Sequence, residues 1–193
     1  IIKHSGLIVL IGSFFSPSIV AYISTAKTLF YFFPLRFAHI FINISLFEYA
    51  QTFAKKKMVT LKHNHNRHII MTSFFVILFI IGSLTLGPFI YKLWLGKNFH
   101  LEFILLLFIV FDISLYLLKD SFTVILRSLN YFFLVNTIDF IIVLICLLIS
   151  YYFFYLGYSF LASFIIIFIG TFFSLLISIY LVTKFYKKRL LNV

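Results

Sequence analysis

The chain has 193 residues, of which 63% are hydrophobic and 11% are charged, and its mean hydropathy is +1.14. A soluble domain has roughly 45–50% apolar and 25% charged residues, so this composition excludes a soluble globular protein and predicts an all-α integral membrane protein. The net charge of +11 would suggest a nucleic-acid partner in a soluble protein. Here the basic residues adjoin apolar segments, which is the topology signal of membrane proteins, and no nucleic-acid partner is predicted.

Apolar segments follow one another along almost the whole chain and predict about six membrane-spanning helices, because a helix needs about 20 apolar residues to cross the hydrocarbon core. We expect them at residues 1–15, 19–47, 69–91, 101–128, 131–155 and 159–183. The first segment is short and starts at Ile1 rather than at a methionine, so we expect the chain to be the C-terminal part of a longer protein. Pro17 should open the second helix, since proline is favoured in a first helical turn.

Cationic side chains interrupt the second predicted helix. A cation near the centre of a membrane helix costs about 2.5–3.5 kcal/mol, so such side chains normally face a protein interior or a water-filled cavity. Arg36, His39 and Asn43 fall on one stripe, whereas Lys27 lies about half a turn away, and a bend at Pro34 would let these side chains share a pocket. In the alternative interpretation, Lys27 and Arg36 extend toward opposite membrane interfaces and Pro34 is only a packing kink.

Basic residues concentrate in two segments, which predict the orientation of the chain. Residues 48–68 contain four lysines and one arginine and are predicted to form a cytoplasmic basic loop, the first part of which can be an amphipathic helix on the anionic leaflet. Residues 184–193 form a basic tail, while the predicted outer loop at 92–100 has only two lysines. Because loops rich in Lys and Arg remain inside, we expect a multi-pass protein with a cytoplasmic C-terminus.

The histidine group and the single cysteine are predicted to have no metal-binding or catalytic role. His63, His65 and His68 lack the spacing and the companion cysteines of a zinc site, so no metal is predicted. Cys146 is the only cysteine and lies within an apolar segment, where a buried and inert thiol is expected.

The later helices carry acidic and basic residues inside apolar sequence. Asp112 and Lys119 are seven residues apart, nearly two turns, which is too far for a direct pair on an ideal helix, so each should meet a partner on a neighbouring helix. Asp120 and Arg127 are expected to flank the inner interface. Asp139 shares a helix face with Asn136, and we consider Asp112, Lys119 and Asp139 as coupling sites or as structural polar contacts.

Five segments follow a known pattern of spacing and hydropathy: GLIVLIGSFFSPSIVAYISTAKTL, EYAQTFAKKKM, YKLWLGKNF, RSLNYFFLVNTIDF and YLGYSFLASF. Together they resemble the C-terminal half of bacterial polysaccharide flippases, which transport O-antigen and teichoic-type repeat units. These flippases belong to the multidrug/oligosaccharidyl-lipid/polysaccharide exporter superfamily. The resemblance covers essentially the whole chain.

The resemblance implies a six-helix bundle like the second lobe of a MATE-like transporter, with the N-terminal bundle of the same protein missing. It implies that lipid-linked oligosaccharide crosses the bacterial inner (plasma) membrane by alternating access, for lipopolysaccharide and other surface polysaccharides. Cavity cations in this family hold the pyrophosphate of the undecaprenyl-linked substrate, and the matching candidates are Lys27, Arg36 and His39. Membrane lipid is the other expected partner, and no cofactor and no enzymatic activity are implied.

Three other functions remain open. A multidrug/cation antiporter of the MATE type would line its cavity with carboxylates, for which Asp112, Asp120 and Asp139 are available. A membrane-embedded polysaccharide polymerase or glycosyltransferase usually needs a large outer loop, whereas the predicted outer loops here are short and have Glu102 as their only nearby carboxylate. No metal, nucleotide or nucleophile motif is present, so an enzyme is not predicted. A purely structural membrane subunit is the third alternative.

Overall fold

The computed structural model describes residues 2–96 and 101–190, which form helices and short connections without any strand. Six helices are present in this part of the chain. They are α1 (Ile2–Phe14), α2 (Pro17–Ala54), α3 (Met58–Leu95), α4 (Phe103–Ser128), α5 (Phe132–Tyr155) and α6 (Phe160–Leu190). Pro17 is the first residue of α2, as predicted from its fixed φ angle.

Four of the described helices are long and apolar enough to cross a membrane: α2, α3, α5 and the part of α6 from Phe160 to Lys188. The apolar part of α1, Ser5–Phe14, is shorter, and the 26-residue α4 carries four charged side chains. The fold is therefore all-helical with the span lengths of an integral membrane protein. The expected six crossings and the cytoplasmic C-terminus remain predictions.

The structure differs from the predicted loop at residues 48–68, most of which is helical. α2 continues to Ala54 and α3 begins at Met58, so that only Lys55–Lys57 connect them. The segment is helical because buried residues recur among its charged residues with a helical period: Met58, Leu61 and His65 are buried at spacings of three and four residues. The predicted outer loop is likewise helical as far as Leu95, while its residues 97–100 and the tail residues 191–193 lie outside the described residues.

α2 is not a regular α-helix throughout. A π-helical turn, Thr28–Phe32, separates its first part from the part that begins at Phe33. Pro34 follows directly and is buried, and because proline has no N–H, the regular ladder of hydrogen bonds cannot continue through it. The irregularity predicted at Pro34 therefore takes the form of a widened turn just before the proline.

α4 is the central helix of the bundle and contacts α2, α3, α5 and α6. Residues 123–126 are all buried, and four consecutive residues cover nearly a full helical turn, so α4 is enclosed on every side at this turn. Three of the four charged residues of α4, Asp112, Lys119 and Asp120, are buried in the bundle. This is where ionisable groups at membrane depth are tolerated.

Candidate functional site

A cavity of about 710 Å³ lies among α1, α2, α4, α5 and α6. Its wall is mostly apolar, with aromatic side chains such as Tyr31, Phe32 and Tyr116. Polar and charged groups converge on it from all five helices: Lys3, His39, Lys119, Asn136, Asp139, Thr171 and Ser174. An apolar cavity with a few convergent polar groups is the usual form of a small-molecule site.

The first charged cluster in the wall joins α1, α4 and α6. Lys3 Nζ donates to both carboxylate oxygens of Asp112, at 2.8 and 3.0 Å, and to Thr171 Oγ1 at 2.6 Å. The Thr171 hydroxyl in turn donates to Asp112 Oδ1 at 2.6 Å. The partner expected for Asp112 on a neighbouring helix is therefore confirmed, and it is Lys3.

The second cluster repeats the same chemistry further along α4 and α6. Lys119 Nζ donates to Asp139 Oδ2 on α5 at 2.6 Å, and Ser174 Oγ donates to Asp139 Oδ1. The ammonium group also lies 4.7 Å from the centroid of the Tyr116 ring. Lys119 therefore has its expected partner on a neighbouring helix, and each cluster consists of a lysine, an aspartate and a hydroxyl.

The pairing makes the described wall nearly neutral in spite of its charged groups. Each ammonium group has a carboxylate within 3 Å, which offsets the cost of burying either charge alone. An anion that enters the cavity could accept hydrogen bonds from Lys3 and Lys119, whose ammonium groups otherwise donate to the carboxylates. A cation would find one carboxylate in the wall, that of Asp139, because Asp112 lies behind Lys3 and Thr171.

Of the three cations assigned to substrate from the sequence, the structure places only His39 in the cavity wall. Arg36 is exposed, with its guanidinium 4.8 Å from the centroid of the Phe32 ring. Lys27 is buried 5.8 Å from the centroid of the Phe164 ring, and its Nζ has no hydrogen-bond partner among the described residues. The three are therefore not gathered in one pocket, and their shared role in binding substrate remains a prediction.

Lys3 is the cavity cation that the sequence reasoning missed as a site residue. It stands at the start of a short apolar helix, and the sequence did not single it out as a candidate site residue. The available signal was Asp112, since a carboxylate in the middle of an apolar helix requires a counter-ion from elsewhere in the chain.

Asp120 and Arg127 form a pair within α4 itself. The Arg127 guanidinium donates to Asp120 Oδ1 across seven residues, and Asp120 is almost completely buried. Asp120 is absent from the cavity wall. Of the three aspartates that the antiporter interpretation uses, only Asp139 lines the cavity, and Asp112 reaches its edge through Lys3 and Thr171.

The histidines hold helices together at the end of the bundle where α2 and α3 are joined. His65 Nε2 lies 3.1 Å from the carbonyl oxygen of Ser121, which can only accept, so Nε2 carries the proton. The other nitrogen, Nδ1, then accepts from the Tyr186 hydroxyl at 3.0 Å. His68 Nδ1 is 3.0 Å from Ser45 Oγ. No group of three or more potential metal ligands occurs in the part of the chain that the structure describes.

No protein-family model, no curated protein and no solved structure matches this chain. What the protein can do must therefore follow from the cavity, its charged walls and the apolar helices around it.

Proposed function

We propose that this chain is one half of a transporter that moves undecaprenyl-pyrophosphate-linked oligosaccharide repeat units across the bacterial cytoplasmic membrane. The units serve surface polysaccharide assembly, O-antigen among them. The observation that supports this proposal is a cavity of about 710 Å³, within an apolar helical bundle, whose wall contains Lys3, Lys119 and His39.

The chemistry of the cargo explains why such a wall is useful. A diphosphate has to pass the hydrocarbon layer, where it loses its hydration, so it needs donors that replace water. Lysine ammonium groups form strong charge-assisted hydrogen bonds with phosphate oxygens. Lys3 and Lys119 already donate to oxygen anions, and a diphosphate can take the place of those carboxylates with little change in the geometry of the donor.

The hydroxyl and amide groups of the wall add neutral donors. Thr171, Ser174 and Asn136 line the same cavity as the two lysines, and they can bind phosphate or sugar hydroxyls. The opposite wall would come from the N-terminal bundle of the same protein. Transport would follow the alternating-access scheme, in which two bundles rock around a site near the membrane midplane.

A cation or multidrug antiporter is the second candidate, and Asp139 is the observation that favours it. Its carboxylate lines the cavity and is held by Lys119 and Ser174. A cationic cargo would compete with the lysine for Asp139, whereas an anionic cargo would compete with Asp139 for the lysine. The flippase therefore needs Lys119 for its cargo, whereas the antiporter needs Asp139.

The experiment removes one charge or both from this pair, in cells whose only copy of the gene carries the substitution. The variants are Lys119→Met, Asp139→Asn and the double variant, expressed at matched levels, and the readout is outward exposure of the lipid-linked oligosaccharide. If Lys119 binds the diphosphate, exposure falls in Lys119→Met and remains low in the double variant, in which the buried charge is again balanced. Lys92→Gln serves as the control, because Lys92 is an exposed cation outside the cavity wall and should leave exposure of the oligosaccharide unchanged.

One result would contradict the role of Lys119 in binding the diphosphate, and another would contradict the flippase proposal itself. Full exposure in the double variant would mean that Lys119 only balances Asp139. Unchanged exposure after deletion of the whole gene would remove the flippase function and leave the antiporter. The antiporter also predicts that Lys119→Met, which frees Asp139, increases binding of a cationic dye, and that Asp139→Asn abolishes it.

A further inference from the structure

One end of the bundle carries a dense set of exposed cations, which we call the basic end. Five of them come from the α2–α3 connection and the first turns of α3: Lys55–Lys57, Lys62 and Arg67. Three more, Lys184, Lys187 and Lys188, come from the last turns of α6. The 3.0 Å hydrogen bond between His65 and Tyr186 brings the two groups to the same end of the molecule.

The positive charge of the basic end is not compensated. Among the described residues, none of these eight cations forms an ion pair, because Asp112, Asp120 and Asp139 are used inside the bundle. Glu102 stands before α4, at the opposite end. Glu48 is the one carboxylate nearby, and it accepts a hydrogen bond from the Asn64 side chain.

Apolar surface adjoins the same cations. Phe47 and Val59, on either side of the α2–α3 connection, have exposed fractions of 75% and 78%. A cavity of about 120 Å³ lies among α2, α3 and α4, next to His68, whose buried Nε2 makes no hydrogen bond with described residues. The cavity wall is mostly apolar, with His68, Thr72 and Ser121 as its polar members, and includes the exposed side chains of Phe41 and Met71. We call this cavity the apolar groove between α2 and α3.

We propose that the basic end is a binding site for anionic phospholipid. The lysines and Arg67 take the phosphate headgroup, and an acyl chain follows the apolar groove between α2 and α3. Clusters of four to eight Lys and Arg residues next to a membrane helix have the charge density that binds anionic headgroups. An acidic protein segment would satisfy the charge but not the groove, which continues onto the exposed apolar faces of the same two helices. This site does not depend on the proposed transport function.

The test compares the two ends of one molecule by tryptophan quenching. The native Trp94 is the only tryptophan in the chain, is exposed, and lies at the opposite end of α3 from Val59. The Trp94→Phe/Val59→Trp variant moves the fluorophore to the basic end. Both proteins are reconstituted in phosphatidylcholine vesicles at low salt, with dibrominated phosphatidylglycerol or dibrominated phosphatidylcholine as quencher.

The expected result is a binding constant for phosphatidylglycerol, relative to phosphatidylcholine, that is at least about fivefold higher at position 59 than at Trp94. This is the effect of roughly one well-placed cation. The ratio of the phosphatidylglycerol preference at position 59 to that at Trp94 should fall near one in a Lys55→Gln/Lys56→Gln/Lys57→Gln variant. The same fall is expected in 0.5 M salt without any substitution. Lys92→Gln, at the opposite end, should not change this ratio. Equal ratios at the two ends would overturn the proposal. Retention on immobilised polyglutamate without any lipid preference would overturn it too, and would assign the surface to an acidic protein segment.

Discussion

Loss of the Lys119–Asp139 ion pair should be the most informative single change in this protein. The Nζ–Oδ2 distance is 2.6 Å, and the two side chains have exposed fractions of 6% and 23%. With an effective dielectric constant of about 20, Coulomb's law gives a gross attraction of roughly 6 kcal/mol at that distance. Most of this attraction is offset by the cost of removing both charges from water.

Because the attraction and the desolvation cost nearly cancel, replacing one member of the pair should lower the free energy of unfolding more than replacing both. Lys119→Met leaves the Asp139 carboxylate without its counter-ion, and breaking a fully buried pair destabilises by about 3–5 kcal/mol. Because Asp139 is 23% exposed to the cavity, we expect a loss toward the lower end, about 3 kcal/mol. In the Lys119→Met/Asp139→Asn double variant no charge is left, and Ser174 can still donate to the amide oxygen. We expect the double variant to unfold within about 1 kcal/mol of the native protein, since replacement of both members of a buried pair is often neutral.

Reversible unfolding in mixed detergent micelles, followed by far-ultraviolet circular dichroism, would give the free energies of unfolding for the four proteins of this cycle. Asp139→Asn completes the cycle and isolates the coupling between the two side chains. If the double variant were as unstable as Lys119→Met, the loss would come from packing around the lysine. If Lys119→Met had the native stability, the carboxylate would have to be solvated, and the ion pair would not hold this part of the cavity wall.

Two further predictions concern α5 and its contact with α6. Cys146, the only cysteine, was expected from the sequence to be inert, but it borders the large cavity, so a small methanethiosulfonate reagent should modify it in the folded protein. Val143→Trp, which narrows the cavity one helical turn from Cys146, should slow this reaction at least about tenfold, and the exposed Leu144→Trp should not; equal rates would mean that the reagent does not arrive through the cavity. Gly170→Ala should destabilise by about 1–3 kcal/mol, because its methyl group would overlap Cys146 Sγ. Gly82→Ala, with open space around the added methyl group, is the control, and a similar loss there would refute the steric explanation.

The hydropathy of the chain was sufficient to predict helices and their approximate places. Each of the six predicted spans overlaps one helix of the structure. The need of Asp112 and Lys119 for partners on neighbouring helices was also predictable. Both facts follow from local rules, namely the length of an apolar segment and the cost of an unpaired charge.

The choice of partners could not be predicted from the chain alone. Lys3 and Asp112 are separated by 109 residues, and no spacing rule connects them. The segment 48–68 was interpreted by its charge, although its burial follows a helical pattern that becomes visible only when α4 and α6 are packed against it.

The sequence by itself determined that this is an apolar, all-helical chain whose basic residues gather in two segments. Only the tertiary structure decided which charges meet: it paired Lys3 and Lys119 with carboxylates in one cavity, and placed Arg36 on the exposed surface and Lys27 away from the cavity wall. The physical reason is that hydropathy and helical period act over a few turns of one helix. The partner of a buried charge depends on which helices pack together and on the rotation of each about its axis.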